Sequence, residues 1–236
     1  MAGVPFAVTR LPAMIAGLTV LALTAGALVP VIWRAGGLSG PTAADWAALR
    51  FTLLQAALSA VVSVVLAVPV ARALARRRFP GRGLLIAALG APFILPAIVA
   101  VIGLLTVFGR GGWVNAGLTA LGLPGVSIYG LHGVVLAHVF FNLPLAIRLI
   151  VQGWQAIPAE RFRLAASLGF APRDVARVLE RPMLSEVMPA TFVAVFLICL
   201  SSFAVALTLG GGPRATTLEL AIYQSFRFDF DLARAS

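Results

Sequence analysis

Lysine is absent from these 236 residues, and all 18 basic side chains are arginine. A Walker-type phosphate loop ends in Gly-Lys-Ser/Thr, so ATP hydrolysis by that route is excluded. Schiff-base catalysis through lysine is excluded for the same reason. The single cysteine, Cys199, leaves no internal disulfide and no cysteine-rich metal site. Two histidines, His132 and His138, are too few for most metal catalysts. Charge is also scarce: 11% of the residues carry it and only 8 are acidic, where a soluble domain is about 25% charged.

What fills the chain instead is apolar. Hydrophobic residues make up 61% and the mean hydropathy is +1.02. So few charges cannot screen that much apolar surface from water. The formal charge of +10 comes from arginines lying between apolar runs, which points to a membrane-orientation signal and not to a nucleic-acid footprint.

A bilayer core about 30 Å thick takes roughly 20 apolar helical residues to cross. Leu11–Trp33, Phe51–Ala71, Gly83–Gly109 and Val187–Pro213 are charge-free at that length. A fourth span in chain order is expected from Tyr129 to Val151, after a Gly-, Asn- and Pro-containing loop at Arg110–Ile128. The expectation is an all-α integral membrane protein with five transmembrane helices. The first apolar run is too long for a signal-peptide core and no small-x-small cleavage site precedes a soluble domain, so it is read as a retained span.

With the amino terminus in the cytoplasm, 12 arginines fall on inside segments and 6 outside, Arg76–Arg78 weighing most. Trp33, Trp46, Trp113 and Trp154 fall near expected span ends, where the headgroup region suits an indole. A division follows: residues 1–49 hold the first span and an outside loop, and residues 50–236 hold the remaining spans.

Inside that second part, residues 152–184 form the one long polar interruption. Pro158, Ala159, Glu160 and Arg161 read as a helix start. Pro172–Glu180 reads as a second short helix, ended by Pro182. A helix pair under the membrane, apolar on one face, is either a docking surface for a cytoplasmic protein or an interfacial helix on lipid.

The segment Leu164-Ala165-Ala166-Ser167-Leu168-Gly169, with Leu179 and Pro182 behind it, resembles the Glu-Ala-Ala loop of binding-protein-dependent ABC importer permeases. The family pattern sets Gly, an aliphatic and Pro at the spacing of Gly169, Leu179 and Pro182. Arg163 stands where the family has glutamate, and Glu160 lies one turn earlier. The resemblance implies that Glu160, Arg163, Leu164, Ala165, Ala166, Gly169, Leu179 and Pro182 form a loop that couples to a separate ATPase by helix-in-groove docking.

The segments Ser201-Ser202-Phe203-Ala204, Leu209 to Gln224 and Phe226 to Ala235 resemble the thiamine and thiamine-pyrophosphate permeases of that family, with ferric-iron permeases as the runner-up. The implied protein is a type-I permease half in a bacterial inner membrane, without cofactor. Its implied partners are a cytoplasmic ATPase dimer, a periplasmic substrate-binding protein, a second permease half and the bilayer, with no nucleic acid. Those permeases fuse two halves of about six spans each, so the sequence reads as a truncated first half.

His138 and Asn142 share a helix face four residues apart. They lie on a translocation path or bond a neighbouring helix. Ser201, Ser202 and Thr208 line a polar route or bond back to their own carbonyls. Gly210, Gly211 and Gly212 mark either a gate or a helix stop. An intramembrane enzyme built on His132 or His138 is the contrasting reading. It lacks a His-Glu-x-x-His, a paired intramembrane aspartate and a serine elbow.

Overall fold

Hydrocarbon offers no water to backbone N–H and C=O groups, so an apolar chain satisfies them internally as helix. The computed structural model describes residues 10–34, 40, 42–91, 95–210, 212 and 215–229, and no strand occurs among them. The chain divides into two units, Met1–Thr42 with Ala221–Ser236, and Ala43–Leu220.

The first unit contains helix α1 (Arg10–Arg34). In the second, α2 (Ala43–Arg76) is followed by α3 (Arg82–Ala88), α4 (Ala97–Phe108), α5 (Trp113–Ala120) and α6 (Leu131–Ala156). Next come α7 (Ala159–Ser167), α8 (Pro172–Val175), a π-helical turn (Ala176–Glu180), α9 (Arg181–Leu200) and α10 (Phe203–Leu209). Helix α11 covers Leu218–Gln224 and is followed by a second π-helical turn, Ser225–Asp229.

The second unit is organised around α2, which packs on α6 and α9, while α6 packs on α9. Ala56, Ala60, Val64, Ala67 and Ala71 are buried along α2 at helical spacing. Small side chains at that spacing let backbones approach closely, which is what holds helices together where lipid is as apolar as the helix. Ile147, Ile150 and Trp154 of α6 and Val195 and Cys199 of α9 complete this core. A second cluster joins Val101 and Leu104 of α4, Val134 and Ala137 of α6, and Val205 and Leu209 of α10. Leu53, Leu54, Leu58 and Val65 of α2 point outward, as a lipid-facing surface requires.

Among the described residues, four stretches are long and apolar enough to cross a membrane: Ala43–Arg76, Ala97–Ala120, Leu131–Ala156 and Pro172–Leu200. The first expected span falls on α1, where Met14–Gly26 is the described apolar stretch. The second and fourth expected spans fall within α2 and α6 almost completely.

The third and fifth differ from expectation. Gly83–Gly109 is not one helix: α3 ends at Ala88, and Pro96, which has no N–H to give, caps the start of α4. Pro92 lies outside the described residues. The apolar stretch shifts to Ala97–Ala120, itself broken at Gly109–Gly112, and α5 occupies part of the expected loop. Val187–Pro213 breaks at Ser201 and Ser202, which carry non-helical backbone between α9 and α10.

Pro182 does not end a helix. It stands in the first turn of α9, where its missing N–H is no loss. The π turn before it, closed by the Arg181 N–H on the Ala176 carbonyl, carries the helix from Pro172 into the span. Trp154 is buried in the core, whereas Trp46 and Trp113 are exposed. The side chain of Trp33 lies outside the described residues.

Candidate functional site

Two groups of the expected residues are assembled, one at the arginine-rich end of α2 and one where α9 breaks.

At the arginine-rich end, α7 begins behind Pro158, as expected, and ends in a left-handed residue. Gly169 has φ of +71°. Its N–H bonds the Ala166 carbonyl at 3.1 Å and the Phe170 N–H bonds Ala165 at 3.0 Å. These are the two bonds of a Schellman stop, whose left-handed position favours glycine. The next helix starts where Pro172 fixes φ, and the Asp174 carboxylate accepts the Ala171 N–H at 3.0 Å. Ala165 anchors α7 by burial, while Leu164 and Leu168 are 60% and 63% exposed.

Glu160 and Arg163 are both exposed and pair with each other at 3.1 Å, one turn apart. An exposed pair of this kind contributes roughly 0–1 kcal/mol. Ala166 is exposed, Leu179 is half-buried and Pro182 is exposed.

A contact the sequence reading missed ties this helix pair to the bundle. Glu180, on the last residue of the π turn, is buried, its side chain 3% exposed. Arg72 of α2 donates Nε–H to its Oε2 at 2.9 Å, and Arg76 Nε stands 3.5 Å from Oε1. The Arg76 guanidinium also lies over the Phe162 ring of α7, 4.8 Å from its centroid. Arg72, Arg76 and Arg77, with Pro69, Ala73 and Pro172, line a cavity of about 450 Å³ beside this contact. A lone acid in an amphipathic helix reads as surface, and its nearer partner in sequence, Arg76, lies more than a hundred positions away, so no local signal marked it.

At the break, α2 presents Thr52, Gln55, Ser59 and Ser63, all buried, at intervals of three and four residues. His138 of α6 stands between two helices. Its Nδ1 is 3.3 Å from Ser59 Oγ and its Nε2 is 2.5 Å from Ser202 Oγ. Asn142 donates Nδ2 to the His138 carbonyl at 3.0 Å and to Cys199 Sγ at 3.4 Å. Gln55 donates Nε2 to the Cys199 carbonyl at 3.0 Å. The last four carbonyls of a helix have no partner within it. Ending α9 inside an apolar bundle therefore calls for side-chain donors, and Gln55 supplies one. Ser201 supplies another, its Oγ bonding the Ile198 carbonyl at 3.3 Å.

His138, Asn142 and Ser202 thus come together, while Thr208 bonds back to the Ala204 carbonyl at 2.8 Å. Gly210 follows the end of α10 and Gly212 has φ of +119°. Gly211 lies outside the described residues. His132 is exposed and bonds the Ser127 carbonyl. Beyond the break, Thr52 Oγ1 accepts the Leu218 N–H at 2.9 Å, fixing the first residue of α11 to α2.

No protein-family model matches the chain. A thiamine transport system permease protein of Brucella abortus (strain 2308) is 46% identical over 220 residues, covering 90% of this chain and 40% of the relative. The proteins of that name in Salmonella typhimurium and Escherichia coli (strain K12) are each 50% identical over 192 residues, covering 81% of this chain and 36% of theirs. The chain spans about two-fifths of the length of these curated relatives.

Proposed function

This chain is a relative of the thiamine transport system permease proteins over 90% of its length, and from that premise we propose that it is a membrane-spanning part of an ABC importer. The cargo is thiamine or its phosphates, and a separate ATPase supplies the work. The relatives' names favour thiamine over ferric iron. The chain lies in a bacterial inner membrane with five spans and its amino terminus inside, as part of a type-I permease half beside a second half. A periplasmic binding protein delivers cargo to the outer face, and a cytoplasmic ATPase dimer grips the loop of residues 152–184.

One observation carries the coupling part of this reading. Helix α7 presents Leu164 and Leu168 outward at the same end of the bundle as Arg72 and Arg76. Exposed leucines beside arginines suit a helix laid in a protein groove. The chain supplies a lever and a path, and no bond-making chemistry. Work enters through differential contact of α7 with two states of the ATPase. The break at Ser201–Ser202, with His138 and Asn142 against it, is the candidate path, since interrupted helices in membranes cluster at transport sites.

The test is a chimera in which this chain replaces the matching part of the Escherichia coli relative, expressed with its ATPase and binding protein in cells lacking the native permease. Uptake of labelled thiamine is the expected result. Uptake of ferric iron with none of thiamine, or of neither, would overturn the reading.

A further inference from the structure

We propose that Glu180 is a positioning residue that locks the α7–α8 helix pair onto the end of α2, so that movement of the pair is carried into the bundle through Arg72 and Arg76. The part concerning movement rests on the coupling role proposed above; the lock itself does not.

The chain connects α7 to the rest of the molecule by two short segments. One is Ile157–Pro158 from α6 and the other is residues 168–171 toward α8. Three side-chain contacts add to these connections. Arg76 reaches the Phe162 ring on α7 and the Glu180 carboxylate on the π turn, and Arg72 holds the other carboxylate oxygen. Both helices are therefore fastened to one turn of α2, since residues 72 and 76 are stacked four apart.

The partition of burial indicates how the lock is built. Glu180 is 3% exposed, while Arg72 and Arg76 are 50% and 39% exposed. A carboxylate withdrawn from water has these two guanidiniums as its counter-charges, so separating them leaves a buried, unpaired charge. The arginines keep their outer edges in the open cavity that also holds Arg77. The contact is close at Oε2, which Arg72 holds, and looser at Oε1, which is buried without a hydrogen bond and stands 3.5 Å from Arg76 Nε.

The π turn adds a second feature. Its wider turn ends on Glu180 itself. Such turns inside α-helices recur where a side chain needs re-aiming at a working position.

Two measurements test this on the intact chain and on the chimera. In lipid bilayers, spin labels at Leu66→Cys and Ala166→Cys report the separation of α2 and α7; both sites are exposed and native Cys199 is buried. A narrow distance distribution is expected, broadened by Glu180→Gln. An unchanged distribution in Glu180→Gln overturns the lock. Should that variant fail to fold, Arg72→Gln, altering a half-exposed side chain, still broadens the distribution if the lock exists and leaves it unchanged if not.

In the transporting chimera, Glu180→Gln should lower thiamine uptake about tenfold while the ATPase still co-purifies and hydrolyses ATP. Native uptake would overturn the transmission role. If the chimera with the unaltered chain takes up no thiamine, the functional reading fails, and the spin-label result still decides the lock.

Discussion

Gln55, midway along α2, donates its side-chain amide to the main-chain carbonyl of Cys199, 144 positions later, at 3.0 Å. The donor stands in an unbroken helix and the acceptor in the last turn of a broken one. The other end of the same amide, Oε1, is buried and makes no hydrogen bond. One residue therefore both satisfies the helix break and carries an unsatisfied acceptor. A bond of this kind between membrane helices contributes on the order of 0.6–2 kcal/mol.

Gln55 substitutions should separate those two effects. Gln55→Leu removes the bond and the orphaned oxygen together, with loss of about 1 kcal/mol. Gln55→Asn is one methylene shorter, cannot span the gap, and leaves polar atoms unpaired at both sides. The expected order of thermal stability in detergent is native, then Leu, then Asn. Asn equal to or above Leu would show that the Cys199 carbonyl does not depend on this donor.

Gly169 should be replaceable by conformation and not by size. A Cβ there would meet nothing within 4 Å, yet φ is +71°. A left-handed non-glycine residue costs roughly 1–2 kcal/mol, with asparagine penalised least. In the chimera, Gly169→Asn is expected to keep most thiamine uptake. Gly169→Val and Gly169→Trp are expected to lose it with membrane levels intact. Normal uptake by Gly169→Trp would remove α7 from the coupling role.

The starts at Pro158 and Pro172 were legible because proline in a first turn carries its own backbone signal, whereas Gly169 was marked only as a position of the family pattern and not as a helix stop. The same rule misled at Pro182: proline ends a helix only when it falls inside one, and here a π turn places it in a first turn. The break at Ser201–Ser202 had no such mark, because serines in an apolar helix can bond back to their own carbonyls and remain helical. What decides there is tertiary: Ser202 meets His138 from another helix. The stripe Thr52, Gln55, Ser59 and Ser63 was missed, although its intervals put all four on one face of a charge-free run, because hydroxyls in an apolar helix can bond back to their own carbonyls. Glu180 was missed because nothing in its neighbourhood anticipates Arg72.

Gly153 should test how closely α6 and α9 must approach. A Cβ there would lie 2.8 Å from Met183 Sδ and 2.9 Å from Val187 Cγ2. The thioether can swing aside, whereas the branched valine has one strongly preferred rotamer in a helix. Gly153→Ala is expected to destabilise by roughly 1–3 kcal/mol through overpacking. Adding Val187→Ala should recover most of that loss. Equal stability of the single and double variants would place the strain elsewhere.

Glu219 gives the chain a pH dependence of calculable sign. Burial raises its carboxyl above the usual glutamate range, and Oε2 is buried without a hydrogen-bond partner. It stands in the first turn of α11, where the helix dipole favours the charged form, so desolvation outweighs the dipole. A raised value means the fold prefers the protonated acid. That contribution is complete below the ordinary glutamate value and is lost as the pH rises through the raised one. Glu219→Gln keeps the neutral shape at every pH. The variant should therefore match the native chain in melting temperature near about pH 4 and exceed it by a growing margin toward about pH 8. A margin that shrinks as the pH rises would mean that the ionised carboxylate is stabilised in the fold, the opposite of what its burial predicts.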